Sequence, residues 1–279
     1  MWRSIEQLVN QQVLRWTEAQ RVSAQQSITR DTLPPVSGTA AGSGPSDGLA
    51  QVDLEPTICI SREFGTYAAE LAREVAARIG FDVYDQELVD EISRQAHVRR
   101  KVVESLDERV QHGLSAWVDE LMELRSFTPS DYLRNLSQVV LTIGRHGRGI
   151  LIGRGAHLIL NPSHALRIRC YAPLDWRIQR VAEREGLSTA KATALTARVD
   201  AERVQFYREH FRTDFYDPSN FDVLINASTT PLAARAELIV QAFEAKFAPT
   251  ASPSLIPVSG VRAKPQLEPK ESVIKAVAG

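Results

Sequence analysis

Five short stretches of the chain are dense in Ile, Val and Leu with little polar alternation: 57–61 (TICIS), 82–84 (DVY), 149–153 (GILIG), 167–172 (RIRCYA) and 222–226 (DVLIN). Such runs are expected of strands covered on both faces. The segments between several of them carry helix start and stop signals. Thr128-Pro129-Ser130-Asp131 opens a helix that runs to the Gly147 region, and Ala172-Pro173 opens one that ends at Gly186. Ser188 caps a long helix to about 211, and Thr230-Pro231 starts the last. Strands alternating with helices imply a parallel α/β sheet with right-handed crossovers. The first strand is expected at its centre, leading into a helix over 66–79.

Outside this region the pattern changes. Residues 2–26 place Trp2, Ile5, Val9, Val13 and Trp16 at helical spacing among Gln, Arg and Glu. The segment 1–30 therefore reads as an amphipathic helix that docks on the body of the protein or mediates self-association. Residues 31–54 lose periodicity and fill with Gly, Ser, Pro and Ala, the composition of a flexible linker. The tail 248–279 has similar character and is expected to be disordered. The organised domain is thus expected over 55–247.

With 43% apolar and 24% charged residues in a chain of 279, there is material for one large core. Thirty-three basic against thirty-four acidic residues point away from nucleic acid or anionic lipid as partner. No apolar run approaches the ~20 residues needed to span a membrane, and the N-terminal residues lack the apolar core of a secretory signal. Cys59 and Cys170 both fall within predicted strands, as small core residues in a reducing compartment do. The expected location is cytoplasmic. The six histidines show no metal-ligand spacing, so no metal site is assigned to side chains.

In a parallel α/β sheet, ligands bind beyond the carboxyl ends of the strands. After the first strand come Ser61, Arg62, Glu63, Phe64, Gly65, Thr66, Tyr67 and Ala68. A helix opening here offers unpaired N–H groups and partial positive charge to a phosphate, with Thr66 as candidate N-cap. A full phosphate loop also needs glycines, and Tyr67 and Ala68 obstruct that geometry. On these residues alone the turn is either a phosphate site or a plain strand–helix corner. Asp85, after the second strand, either caps the next helix or bonds a substrate. Arg154, flanked by Gly153 and Gly155, is a phosphate ligand or an ion-pair partner. Arg177, Arg180 and Arg184 share one helix face, and Arg198, Asp200, Arg203 and Arg208 follow on the next helix. Solvated charged faces commonly look like this, yet together these guanidinium groups stand where phosphoryl transfer needs charge neutralised.

The segments "ISREFG", "FDVYDQELVDEI", "GILIGRGAHLIL", "RIRCYAPLDWRIQRVAEREGLS", "VDAERVQFYREHF" and "DPSNFDVLINAS" occur in the order and spacing of the cytidylate kinase-like family. Over residues 55–247 the chain resembles that branch of the P-loop nucleoside monophosphate kinases. The resemblance implies a three-layer P-loop kinase fold, with a five-stranded parallel sheet and a helical lid. The implied activity is transfer of the ATP γ-phosphoryl group to CMP or dCMP with Mg²⁺. It further implies that Ser61, Arg62, Gly65, Thr66, Tyr67 and Ala68 match the ATP phosphate loop. Asp85, Arg154, Asp200 and Arg203 would hold the nucleoside monophosphate, and Arg177, Arg180, Asp200 and Arg203 would serve catalysis.

The departures from the family pattern fall on the ATP side. Gly65-Thr66-Tyr67-Ala68-Ala69-Glu70 replaces the common Gly-Ser-Gly-Gly-Arg-Glu, losing two glycines and one basic residue. Gly155 stands where cytidylate kinases place an aspartate, and Thr196 where they often place an arginine. A catalytically impaired kinase-like protein, binding nucleotide or a protein partner in a regulatory role, is the alternative.

Overall fold

The computed structural model describes residues 7, 9–18, 56–106, 108–124 and 127–247. The chain divides into two units, Met1–Phe247 and Ala248–Gly279. The second unit, the linker over 31–54 and the ends of the N-terminal helix lie outside the described residues.

Five parallel strands form one sheet: β1 (Thr57–Arg62), β2 (Asp82–Tyr84), β3 (Gly149–Ile152), β4 (Ala165–Tyr171) and β5 (Val223–Asn226). Their order is β2-β3-β1-β4-β5, with β1 at the centre as the pattern predicts. Register pairs Ile58 with Ile150 on one side and with Leu166 on the other. Alternate residues feed two cores, as pleating requires. Ile58, Ile60, Ile150 and Ile168 pack with Leu71 and Val75 of α2 (Ala68–Ile79) and Ile239 of α10 (Leu232–Phe247). Cys59 and Leu151 face the opposite layer, where Leu133, Leu136 and Val140 of α6 (Asp131–His146) are buried. Burial of one such side chain contributes roughly 1.5–3 kcal/mol, so the apolar runs suffice to hold the sheet between helical layers.

Three helices follow β2, namely α3 (Gln86–Arg94), α4 (Ala96–Glu104) and α5 (Glu108–Leu124), and none was assigned from the sequence pattern. The predicted helix ends hold elsewhere. Ser130 caps α6 by accepting from Leu133 N at 3.1 Å, and Ser188 caps α9 (Thr189–Phe211). After β3 the one-turn helix α7 (Ala156–Ile159) leads to β4. The helix α8 (Leu174–Glu185) ends at Gly186 and pairs with α9 as a helical hairpin over the strand ends. A small core of Ile178, Val181 and Ala192 joins the hairpin to Phe64 of the β1–α2 turn.

Residues 9–18 are helical and form α1. Val9 and Trp16 are buried on the body of the protein. The Trp16 ring stacks on His146 at 4.0 Å, and Gln12 and Arg15 bond the Asp82 carboxylate at 2.8 and 2.7 Å. The apolar stripe thus docks beside the edge strand β2, protecting an edge that would otherwise be open.

Candidate functional site

The β1–α2 turn winds through two left-handed residues, Gly65 (φ 85) and Tyr67 (φ 57), only one of them a glycine. For Tyr67 this costs about 1–2 kcal/mol. No side chain caps α2. Thr66, the candidate N-cap, is fully buried and donates its hydroxyl to Glu63 O at 2.9 Å, and Tyr67 takes the cap position. A Cβ on Gly65 would stand 3.0 Å from Arg177 O and 3.1 Å from Val181 Cγ2, so this glycine lets α8 close on the turn. Ala68 is buried as the first residue of α2. The Tyr67 ring lies against α8, its hydroxyl donating to Arg180 O at 2.6 Å and the Arg184 guanidinium 4.9 Å above it.

Charges around this turn are mutually satisfied on one side. Arg177 of α8 is buried and donates to Ala172 O (3.0 Å), Phe64 O (3.1 Å) and Asp200 Oδ2 (2.5 Å). Its Nε also stands 3.3 Å from Glu63 Oε2. Asp200, from α9, accepts the Phe64 N–H at 2.9 Å. Glu63 takes Ala172 N and Arg169 Nη2. The network ties the turn to both helices of the hairpin and to the end of β4. It also puts a carboxylate on a loop amide that a phosphate oxygen would need. Arg180 is more exposed, paired with Glu183 at 3.2 Å.

The other side of the strand ends is different. A pocket of about 150 Å³ opens where β1 and β3 finish, lined by Ser61, Arg62, Arg154, Arg203, Phe206 and Tyr207 among others. Arg62 passes over Gly153, where a Cβ would overlap its guanidinium, and donates to Gln86 Oε1 at 3.0 Å. Arg154 sits in left-handed backbone (φ 50), pairs with Asp90 and lies 4.8 Å from the Phe206 ring centroid. Asp90 also accepts the Tyr132 hydroxyl at 2.8 Å. Arg203 donates to Arg62 O at 3.0 Å.

Burial, then the charge of Arg62, pushes the Arg203 guanidinium down to about 10. Burial lowers Arg62 too, with Arg154 acting in the same direction. The buried Arg154 Nε has no hydrogen-bond partner, and the Ser61 and Tyr207 hydroxyls, which face each other, bond nothing else. Crowded cations beside an orphaned N–H are the electrostatics of an anion site, since buried polar groups otherwise find partners.

Of the residues singled out from sequence, Ser61, Arg62, Arg154 and Arg203 converge on this pocket. Gly65, Thr66, Tyr67, Ala68, Arg177 and Asp200 belong to the turn and its network. Asp85 joins neither. It caps α3 by accepting Leu88 N at 2.9 Å and borders a wider cleft, about 500 Å³, between α1, β2 and α3. The carboxylates of Asp82, Asp85 and Glu87 line that cleft against one base, Arg15, which pairs with Asp82. Sequence reasoning missed Tyr207 and Gln86, which read as ordinary helix residues; only the fold brings them to the strand ends.

A family model described as the cytidylate kinase-like family matches residues 57–229. The chain belongs to the cytidylate kinase-like family. Among solved structures, an uncharacterised protein from Eubacterium ventriosum ATCC 27560 is similar with a TM-score of 0.53 at 20% identity, over 68% of this chain and 99% of that one. Shikimate kinase from Bacteroides thetaiotaomicron is a fainter likeness, with a TM-score of 0.36 at 14% identity over 68% and 96% of the two chains. A 100-residue stretch is 29% identical to uronate isomerase of Corynebacterium glutamicum. That match covers 36% of this chain and 19% of the isomerase, so this chain spans about a fifth of that protein's length.

Proposed function

We propose that this member of the cytidylate kinase-like family is a phosphotransferase whose acceptor carries a phosphate, with CMP or dCMP as the first candidates. The observation that carries the reading is the convergence of Arg62, Arg154 and Arg203 with the unpartnered Arg154 Nε and the buried Ser61 and Tyr207 hydroxyls. A cavity of about 150 Å³ takes a benzene-sized group, enough for the acceptor's phosphate. The nucleoside then lies toward Gln86 and Glu202 at the pocket wall.

Arg62 is assigned to this acceptor phosphate, beside Arg154 and Arg203. Bound ATP would supply the γ-phosphoryl group, an acceptor-phosphate oxygen forming the new P–O bond as the bond to ADP breaks. Arg177 and Arg180 are assigned to charge on the transferred group, which requires Arg177 to exchange Asp200 for phosphate. The α2 turn fits an anion in part. The helix α2 has no side-chain cap, but Asp200 holds the Phe64 amide. Among the described residues no group of three or more His, Cys, Asp or Glu side chains stands ready for a metal, so Mg²⁺ would arrive with the nucleotide.

The Asp200 contact favours a second reading, a nucleotide-binding regulator without turnover. Calorimetric titration with CMP, dCMP, UMP and AMP, followed by a coupled ADP-release assay, separates the two. Arg203→Ala is expected to weaken CMP binding by about 1.5–3 kcal/mol, the range for a charge-assisted hydrogen bond. A folded Arg203→Ala protein that binds CMP as tightly as the parent would place the acceptor elsewhere.

A further inference from the structure

Three buried arginines touch the β1–α2 turn; Arg169 and Arg177 are paired with carboxylates there, and Arg235 is not. Arg177 is 6% exposed and is balanced by Asp200 and Glu63. Arg235 of α10 is also 6% exposed, yet among the described residues no carboxylate pairs with it. Its Nη1 makes a long hydrogen bond, 3.4 Å, to Thr66 O in the turn. Its Nε is buried without a partner. Burial lowers its pKa, and Arg180 repels it further. A guanidinium is almost never buried unless paired, because an uncompensated charge in the interior is costly.

The turn shows what the missing partner is. Residues Phe64 to Ala72 contain no basic side chain, so the turn lacks a cation of its own. The twelve-residue helix α2 opens there with no side-chain cap, leaving first-turn N–H groups and partial positive charge, and the one acid of its first turn, Glu70, is paired with Arg184. We propose that Arg235 is the cation of this turn, held in place across 169 residues of sequence to bind the polyphosphate of a nucleoside triphosphate at the start of α2. The assignment rests on the phosphotransferase reading for the identity of the nucleotide, but its chemistry concerns the polyphosphate alone. It explains how the turn can dispense with a basic residue of its own: the charge comes from the last helix.

The test uses sodium tripolyphosphate without magnesium, followed by calorimetry and thermal unfolding. The full chain is expected to bind it and to melt at higher temperature in its presence. Arg235→Met removes an unbalanced buried charge, so the free variant should melt at or above the parent's temperature. Its affinity for tripolyphosphate should fall at least tenfold, and Arg235→Lys should recover part of the loss. CMP affinity should stay within twofold, because Arg203 and its pocket are untouched. Arg235→Met that binds tripolyphosphate within twofold of the parent overturns the proposal, as does a parent that does not bind it. Should Arg235→Met fail to fold, the Arg235 Nε–H resonance of the unaltered protein decides. It must shift on adding tripolyphosphate, and a resonance that stays in place overturns the assignment. Failure of CMP to bind would remove the acceptor reading while leaving this comparison intact.

Discussion

Arg177→Met is expected to destabilise the protein by about 3–5 kcal/mol, the cost of removing one partner from a buried ion pair. Arg177 reaches Asp200, Glu63, Phe64 O and Ala172 O from a site 6% exposed, so its loss removes four contacts at once and leaves Asp200 with only the Phe64 N–H and the more distant Arg203. Methionine fills most of the volume but returns none of the hydrogen bonds. In a domain of this size the midpoint of thermal unfolding should fall by roughly 10 °C. Urea unfolding of the parent and variant measures the difference directly. Adding Asp200→Asn to Arg177→Met should recover part of the stability. An asparagine oxygen can still accept the Phe64 N–H, and the stranded negative charge is gone. Additive effects of the two changes would show that the pair is not coupled. Arg235→Met sets the contrast, since equal burial without a carboxylate predicts no such loss.

That contrast marks the limit of what the sequence discloses. The centre of the sheet was legible because β1 and β3 are short runs dense in Ile and Leu and β4 alternates Leu166, Ile168 and Cys170 with arginines, and strand order follows from family resemblance and right-handed crossovers. Helix ends at Ser130, Gly186 and Ser188 were legible because capping chemistry is local. The helices α4 and α5 were not, because charged residues interrupt their apolar stripe and they have no comparable boundary punctuation; α3 was marked only by its cap, Asp85. Thr66 looked like a cap, but complete burial turned its hydroxyl toward Glu63 O. Arg62 read as part of the ATP turn, being adjacent in sequence. A strand residue's side chain alternates faces, and this one lines the pocket it shares with Arg154 and Arg203. Arg235 left a faint trace, a lone arginine in the apolar run "LAARAELIV". Tertiary contact alone brings it to Thr66.

Acidification from pH 7 to 5 is expected to remove about 4 kcal/mol of stability, through one buried and one half-buried histidine remote from the turn. His157 is 3% exposed and stacks between Tyr207 and Phe221; burial and then Arg167 and Arg169 push its pKa down to about 3. His146 bonds Ser105 Oγ at 2.8 Å and stacks on Trp16, and burial with Arg145 lowers it to about 4. Both values lie below the ordinary 6.5, so both rings stay neutral in the fold while the unfolded chain takes up protons. The stabilisation is complete above pH 6.5 and is lost as the pH falls toward 4 and 3. At about 1.4 kcal/mol per pH unit, each ring accounts for roughly 2 kcal/mol at pH 5. Asp222, lowered to about 2 by its bonds to Arg167 and Lys246 against the opposing effect of burial, adds acid sensitivity only below its ordinary 3.8. The histidine window is therefore separable. His157→Phe keeps the aromatic stack and carries no proton, so its urea-unfolding free energy should fall by about half as much over this range. A variant with the parent's full pH dependence would show that His157 is not the group that titrates. Loss of stability should also loosen α1, because a charged His146 disrupts the ring against which Trp16 packs. Trp16 fluorescence should then change near pH 4, where the folded His146 takes up its proton, and His146→Phe should abolish that step.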